Sequence, residues 1–395
     1  MVPLLENPAA ATDLISFLKA LPDCRMRRGI RFPQWWMLLV AILAILSNQG
    51  SLMGMERFGK RHRKTLNHTL GTHILKSPSD STFRLLFAQL DVERFEGLLR
   101  NWISARHSHA EPIDSLVCDG KTLRGSVAEN ASGAERFIAQ VSLYANTLGV
   151  ANCFAEAWRL RPDHLRHRRR RRDRGSPCVA GACGAGGGVG ASGCVACEPP
   201  FFLYLEKRGA DFLIAVKNSR HKGFQVIREH LTHCSTITHQ TSKRERGHGR
   251  DITWILRAMP APAWVVENWP GSAMIIAVRS KGKRGRKLID ETRYYITSLR
   301  TGADALSRHV RDRWSIENCW HWPRDTRLDE DGHLYRERNG VQVMATLRSL
   351  AMNALRLGGF WSITMGSTPW PTTSRACWNF WAGESLSGDL VLPDI

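Results

Sequence analysis

One stretch divides this chain into two parts. Residues 166–200 read RHRRRRRDRGSPCVAGACGAGGGVGASGCVACEPP, in which five consecutive arginines precede a run of mostly Gly, Ala, Cys, Val and Ser. An arginine run cannot be buried without partners, and a glycine-rich run gains too little apolar burial to offset about 1–2 kcal/mol of backbone entropy per residue. We therefore expect residues 162–197 to form no regular core element and to lie on the surface, so that the segments on either side build the core.

The segment before residue 108 has the apolar spacing of helices. TDLISFLKAL and STFRLLFAQLDVERFEGLLRNWI each predict a helix, the second with an N-cap within Ser79-Asp80-Ser81, and GKRHRKTLNH predicts a basic turn. WWMLLVAILAILS, residues 35–47, is shorter than the roughly 20 residues that span a bilayer, so it predicts a buried core helix. We predict a small helical N-terminal domain over residues 1–108, either a DNA-recognition module or a helical cap on the next domain.

From residue 113 the pattern changes to strands. PIDSLVCDGKTLRGS predicts a strand that ends at Asp119 before a Gly-Lys turn, and RFIAQVSLYAN and LGVANCFAEAW predict a hairpin. FFLYLEKRG predicts a helix, and DFLIAVKNS predicts a buried strand that ends at Lys217. Residues 220–300 alternate basic loops with short strands, and one long helix is predicted from Ala303 onward through DALSRHVRDRWSIENCWHW. The fold class is α/β, with antiparallel strands first.

The chain is strongly basic. It has 56 Lys and Arg residues against 36 Asp and Glu, a formal net charge of +20 and a pI of about 10.1. This balance requires a polyanionic partner, with nucleic acid favoured over a membrane surface. Six scattered cysteines show no disulfide-framework spacing, which predicts a reducing cytoplasm, and we expect no association with a membrane.

Two carboxylates far apart in the sequence stand out. Asp119 follows an apolar strand, and Glu317 lies on the predicted long helix, with Arg313 one turn before it and His321 one turn after it. Acids on a strand and on a helix suit a two-metal site, because Mg²⁺ prefers hard oxygen ligands. Alternatively, Asp119 caps a turn and Glu317 pairs with Arg313 on the helix surface, which is worth about 0.2–0.5 kcal/mol.

Several motifs resemble one family. VCDGKTLRGS, RGADFLIAVKNS, HGR at 248–250 and RDRWSIENCWHWPRD resemble the H-repeat-associated, Rhs-linked DDE transposases of bacterial insertion sequences. FLKALPDCRMRRGIRFPQWWMLLVAILAIL and PSDSTFRLLFAQLD resemble the associated domain that precedes the catalytic core of that family. The resemblance covers roughly residues 15–157 and 200–365.

The resemblance implies a ribonuclease-H-like catalytic core over residues 109–365, with a β-rich insertion at 220–300. Three carboxylates in this fold hold two Mg²⁺ or Mn²⁺ ions for cleavage and transfer of DNA strands. It also implies double-stranded DNA partners (element ends and target), a homodimer on DNA, and a bacterial cytoplasm with nucleoid association. Asp119 matches the first metal-binding acid, and Glu317 matches the third. Auxiliary roles fall on Asp325, Arg313, His321 and Lys121. DNA contacts fall on Arg250, His248, Lys217 and Arg324.

The second acid of the resemblance is missing. No Asp or Glu occurs between Asp173 and Glu198, and Glu198 itself is not preceded by an apolar strand. We expect the strand that should pair beside Asp119 to be absent, which would leave an exposed sheet edge. The protein would then be a transposase with impaired catalysis or, alternatively, a catalytically dead DNA-binding protein derived from one.

Three interpretations of residues 158–199 remain open. Four cysteines could bind zinc, the arginine run could be a DNA-binding arm, or the segment could be translated from a shifted reading frame. We favour the frameshift because it explains both the composition and the missing acid. The four cysteines of this segment are Cys178, Cys183, Cys194 and Cys197.

Residues 366–395 form a tail without helical periodicity, from either a second frame change or simple divergence.

Overall fold

The computed structural model describes most of the chain up to residue 360. The described residues are 13–26, 28, 30–107, 115–129, 135–146, 148–158, 189–192, 199–207, 209–216, 222–233, 237–247 and 249–360. The arginine run, its four neighbouring cysteines, Glu198 and the C-terminal tail therefore lie outside the described residues.

Five helices form the N-terminal part. They are α1 (Leu14–Lys19), α2 (Gln34–Leu46), α3 (Leu52–Leu70), α4 (Asp80–Gln89) and α5 (Val92–His107). The predicted buried helix is confirmed, because α2 is buried along nearly its whole length. The predicted cap is confirmed as well, since Ser79 Oγ accepts a hydrogen bond from the Thr82 amide at 3.3 Å.

Two predictions for this part are wrong. GKRHRKTLNH is not a turn but belongs to α3, which Ser51 caps at its start and Gly71 ends with a φ of 61°. The helix predicted over STFRLLFAQLDVERFEGLLRNWI is two helices. Leu90 adopts an extended backbone after α4, and Asp91 Oδ1 then accepts a hydrogen bond from the Arg94 amide, which starts a new helix.

The described strands form one nine-stranded sheet in the order β3-β2-β1-β4-β5-β9-β8-β7-β6. Its first half contains β1 (Ser115–Glu129), β2 (Glu135–Ala145), β3 (Val150–Trp158), β4 (Val189–Ser192) and β5 (Phe212–Val216). The strands β1, β2 and β3 pair with one another antiparallel, whereas β4 is parallel to both β1 and β5. This confirms an α/β fold that begins with antiparallel strands.

Two further predictions concern β1 and its neighbour, and both are wrong. The chain does not turn at Gly120, because the β1–β2 ladder continues through Gly120↔Val141 and Lys121↔Gln140. The sheet edge beside β1 is not exposed, because β4 fills it within the segment for which we expected no core element. Backbone groups of β1 and β5 on both sides offer hydrogen-bond partners, which four small residues can use despite their weak apolar pattern.

The second half of the sheet is a meander of four longer strands, so the predicted basic loops are in fact strand ends. These strands are β6 (His239–Gly247), β7 (Arg250–Pro260), β8 (Met274–Arg284) and β9 (Lys287–Thr297). Three helices belong to the same region: α6 (Pro199–Lys207), α7 (Lys222–His233) and α8 (Ala263–Asn268). They pack with β5, β8 and β9 around Ile227, Val265 and Ile275.

The predicted long helix after Ala303 is broken into several segments. These are α9 (Ala303–Asp312), a π-helix (Ile316–His321), α10 (Trp322–Thr326) and, after a loop, α11 (Arg338–Leu357). α11 packs against α2, α4, α5 and β3, so the N-terminal helices share one apolar core with the first strands. Asn353 on α11 joins β3 directly, because its side chain exchanges two hydrogen bonds with the Ala151 backbone at 2.8 and 2.9 Å.

Candidate active site

Asp119 lies in the interior of the first half of the sheet. It pairs with Ser142 of β2, and the residue before it, Cys118, pairs with Ser192 of β4. Its side chain is about one-fifth exposed. A carboxylate on a strand with neighbours on both sides has little backbone freedom, so its position relative to the neighbouring helices is fixed.

The π-helix faces this carboxylate. The Nε2 atom of His321 lies 3.6 Å from Oδ2 of Asp119, which is ion-pair range but longer than a hydrogen bond. Glu317 lies one turn before His321 on the same π-helix, and its side chain is exposed. Short π-helical segments occur often at functional sites because the extra residue per turn changes the direction of side chains.

His321 is held in the neutral form. Burial of the ring is the main cause, and the positive charges of Arg324 and Lys121 add to it, so that the pKa of His321 falls to about 3. Neither ring nitrogen has a hydrogen-bond partner among the described residues. A buried neutral imidazole beside a carboxylate can accept or donate one proton, depending on its tautomer.

Lys121 lies on β1, as Asp119 does, and is surrounded by three acidic side chains. Its Nζ atom lies 2.8 Å from Glu330 Oε2 and 3.5 Å from Asp331 Oδ1, and it also contacts the carboxylate of Asp325. Burial raises the pKa of Asp325, an effect that the hydrogen bond from Lys121 opposes. The predicted auxiliary residues Lys121 and Asp325 are therefore brought together by an ion pair.

Arg324 lies beneath this cluster and is fully buried. Its Nη2 atom donates to Gln140 Oε1 at 2.6 Å and to the Ala345 carbonyl at 3.3 Å, and it pairs with Glu330. Burial alone would raise the pKa of Glu330, but the charges of Arg324 and Lys121 outweigh this effect and lower the pKa to about 2. The guanidinium of Arg324 is thus engaged with buried partners inside the protein.

The other predicted residues are spread over the molecule. Arg313 is buried, with its guanidinium carbon 5.3 Å from the Trp314 ring centroid and 5.9 Å from that of Tyr295. Arg250 is exposed at the start of β7, whereas Lys217 and His248 lie outside the described residues.

Two buried residues beside the candidate site, Glu330 and Gln140, were not predicted from the sequence. Glu330 lies in the acidic run LDEDGH, which is typical of a solvated loop, and Gln140 lies in a strand without any local sign of an arginine partner. Both residues are buried because they satisfy Arg324, which is distant in the sequence from Gln140. No local pattern could have identified them.

The fit to a divalent metal is incomplete. Asp119 and Glu317 are the two acids of the matched motifs that could bind a metal, whereas Asp325, Glu330 and Asp331 face Lys121. Within the part of the chain that the structure describes, no group of three or more His, Cys, Asp or Glu side chains is placed to hold a metal ion. The described residues therefore do not form the expected two-metal site.

Comparison with known proteins decides the family. Residues 15–103 match the family model described as DDE_Tnp_1-associated, and residues 196–354 match the model described as Transposase DDE domain. The chain belongs to the DDE transposase family. Glu317 lies inside the second matched segment, and Asp119 lies between the two segments.

Curated relatives agree with this assignment and with the resemblance drawn from the sequence. The chain is 23% identical over 354 residues to the "H repeat-associated putative transposase YhhI" of Escherichia coli K12, covering 87% of this chain and 90% of the relative. It is 23% identical over 356 residues to the "Putative transposase YncI" of Escherichia coli O157:H7, covering 87% of each chain.

A solved piggyBac transposase synaptic complex with hairpin DNA also aligns with the chain. The alignment has 10% sequence identity and a TM-score of 0.43, and covers 96% of this chain and 78% of the other. We draw no argument from a similarity at this level. Among the described residues of the chain, no helix is long and apolar enough to cross a membrane.

Proposed function

We propose that the protein is the transposase of a bacterial insertion sequence, that it binds the DNA ends of its element, and that its strand cleavage and transfer are impaired. The observation that carries the proposal is the 3.6 Å approach of His321 to Asp119. It brings the strand with the first matched acid against the π-helix with the third, as a catalytic centre of this family requires. The excess of positive charge supports DNA as the partner.

The proposed core is ribonuclease-H-like. Its support is the order β3-β2-β1-β4-β5, in which an antiparallel unit lies on one side of β1 and parallel strands lie on the other. The strand that the resemblance requires beside Asp119 is therefore represented by β4. We propose residues 109–365 as this core and residues 1–108 as the associated helical part, which packs on it through α11.

The family implies a divalent metal, Mg²⁺ or Mn²⁺, which would supply the charge that activates the attacking oxygen. Asp119 and Glu317 are the residues that we propose to contact it. The strand β4 ends at Ser192, and the next acid in the sequence is Glu198, so the second ligand of the resemblance is missing after this strand. Loss of one of three acids weakens metal binding and thus phosphoryl transfer, which depends on positioning and charge.

The second candidate is a DNA-binding protein without catalysis. The same missing acid favours it, because DNA binding depends on basic surfaces and not on the metal ligands. Both candidates place the protein on double-stranded DNA in the bacterial cytoplasm, as a homodimer at paired element ends. Mass photometry on a DNA fragment with one end and on a fragment with two ends would test the stoichiometry.

The experiment is a binding and nicking assay on labelled duplexes that contain the DNA flanking the gene on both sides. Wild-type protein is compared with Asp119→Asn, Glu317→Gln and the control Glu267→Gln, an exposed acid on α8, in MgCl₂ or MnCl₂. We expect all four proteins to bind, and the wild type and the control to nick weakly. Asp119→Asn and Glu317→Gln should remove this nicking. Equal background nicking by all four proteins would favour the second candidate, a DNA-binding protein without catalysis. Absence of DNA binding by the wild type would refute both candidates.

A further inference from the structure

The strands β6, β7, β8 and β9 continue past the part of the sheet on which α7, α8 and α9 pack. The register aligns their side chains in rows across four strands, such as Arg244, Thr253, Lys281 and Asp290. Because side chains of paired residues lie on the same face, alternate rows define two opposite faces of this extension. The two faces have different surroundings.

One face is covered in part by α9. Leu306 and Val310 of α9 pack on Leu256 and Val278. At the rim of this contact, Arg311 Nη2 pairs with Glu245 Oε1 at 2.5 Å, and the Arg311 guanidinium lies 5.6 Å from the ring centroid of Trp254. The part of this face that contacts α9 is therefore occupied within the protein, whereas Arg250, Arg284 and Lys287 at the far ends of the strands are exposed.

The opposite face is open and basic, and we call it the basic sheet face. Its cationic side chains lie on the strands β6 and β8, and all of them are exposed. They are Arg244, Arg246, Arg279, Lys281 and Lys283. The face also carries two acids, Asp251 and Asp290, so five cations face two anions and three positive charges are in excess.

The two acids order part of this surface without neutralising it. Asp251 accepts two hydrogen bonds from Arg244 at 2.7 Å, and Asp290 accepts two from Arg279 at 2.7 Å. Arg246 lies farther from Asp251, at 3.4 Å, and is 67% exposed. The bidentate pairs fix two guanidinium groups at the surface of the sheet, while Arg246, Lys281 and Lys283 extend the charge around them.

Protection of a sheet edge does not explain this arrangement. Charged residues on the edge strand β6 would prevent pairing with another chain, but Lys281 and Lys283 lie on β8, which has neighbours on both sides. A sheet face that contacts only solvent needs no excess of positive over negative side chains, whereas this face carries three positive charges in excess. The pattern fits a polyanionic partner better than it fits solubility alone.

We propose that the basic sheet face binds the phosphate backbone of duplex DNA. The inference rests on the proposed function and assigns its DNA contact to these residues. Alternate residues are about 6.8 Å apart along a strand and neighbouring strands about 4.8 Å apart, so the face spans about 14 Å in each direction. Duplex DNA carries one charge per about 1.7 Å of its axis with both strands counted, so about 14 Å of duplex carries about eight phosphates, and those on the side that faces the sheet can pair with three excess cations.

The test compares two triple variants in salt titrations with a 30-base-pair duplex of arbitrary sequence. Arg246→Gln with Lys281→Gln and Lys283→Gln removes the excess charge and leaves both bidentate pairs intact. The matched control is Lys207→Gln with Lys222→Gln and Arg228→Gln, which removes the same charge from positions on α6 and α7. Thermal unfolding of each variant confirms that it is folded.

We expect the first variant to bind about 10-fold more weakly or worse at 0.15 M salt. Its slope of log K against log salt should become shallower by about 2–3, because each phosphate that the protein no longer neutralises reduces the slope by about 0.9. The control should change both quantities much less. In the opposite direction, Asp251→Asn with Asp290→Asn should strengthen binding and steepen the slope.

Three results would contradict the proposal. If the first variant binds like the wild type, or if the control loses as much affinity, the basic sheet face is not where DNA binds, and the proposed function stands. If single-stranded DNA or RNA of equal length binds as tightly and with the same loss, the duplex is the wrong partner. If the wild type binds no duplex at all, both the inference and the proposed function fail.

Discussion

His321 on the π-helix faces Asp119 on β1 with its Nε2 atom 3.6 Å from the carboxylate Oδ2, although both ring nitrogens are buried. The contact joins two segments that are far apart in the chain, and burial of the ring keeps this imidazole in its neutral form beside an acid. It therefore links the geometry of the candidate site to the protonation of one residue.

The first prediction follows from that protonation. Because burial lowers the pKa of His321 from 6.5 to about 3, the folded state resists protonation where the unfolded state accepts it. The stability this contributes is complete above pH 6.5 and is lost as the pH falls towards 3, by up to about 1.4 kcal/mol per pH unit. Urea unfolding at several pH values should show this loss for the wild type and a smaller one for His321→Gln. Parallel curves for the two proteins would contradict it.

The second prediction concerns Lys121. Its side chain is 13% exposed and pairs with Glu330, which is 2% exposed, so Lys121→Met leaves a buried carboxylate with one fewer cation. We expect a loss of about 2–4 kcal/mol in the free energy of unfolding. Lys60→Met is the matched control, because Lys60 pairs with Glu56 but is 62% exposed, and it should cost less than about 1 kcal/mol. Equal losses in chemical denaturation would show that the buried cluster has no special role.

The third prediction separates structural from DNA-binding arginines. Arg324→Met should lower the melting temperature strongly, because Glu330 and Gln140 lose a buried partner, but the salt dependence of DNA binding should stay unchanged at low temperature. Arg250→Gln, at an exposed position, should leave stability within about 0.5 kcal/mol. It should also weaken DNA binding if Arg250 contacts phosphate, as the resemblance implies. The reverse pattern would restore Arg324 as a DNA-binding residue.

The fourth prediction addresses the missing acid. Ser192, the last residue of β4, pairs with Cys118, which directly precedes Asp119, and the residue after Ser192 in the sequence is Gly193. If the absence of an acid after β4 impairs catalysis, Gly193→Asp should increase metal-dependent nicking of element-end DNA, because carboxylates are the preferred ligands of Mg²⁺. Gly193→Asn has a similar shape without the charge and should not increase it. Equal nicking by both variants would show that the missing acid is not the cause of impaired catalysis.

The sequence alone predicted the elements whose signals are local. The apolar run that became α2, the cap at Ser79, the hairpin of β2 and β3 and the buried strand β5 depend on residues within a few positions of each other. The motifs around Asp119 and Glu317 also indicated the DDE transposase family, which the family matches confirm.

Tertiary structure decided the elements that depend on distant partners. The four small residues of β4 form a strand because β1 and β5 offer backbone hydrogen bonds on both sides, and Arg324 is buried because Gln140 and Glu330 accept hydrogen bonds from it. Unpaired backbone groups and unpaired charges are costly inside a protein, so pairing with residues distant in sequence overrides a weak or misleading local pattern.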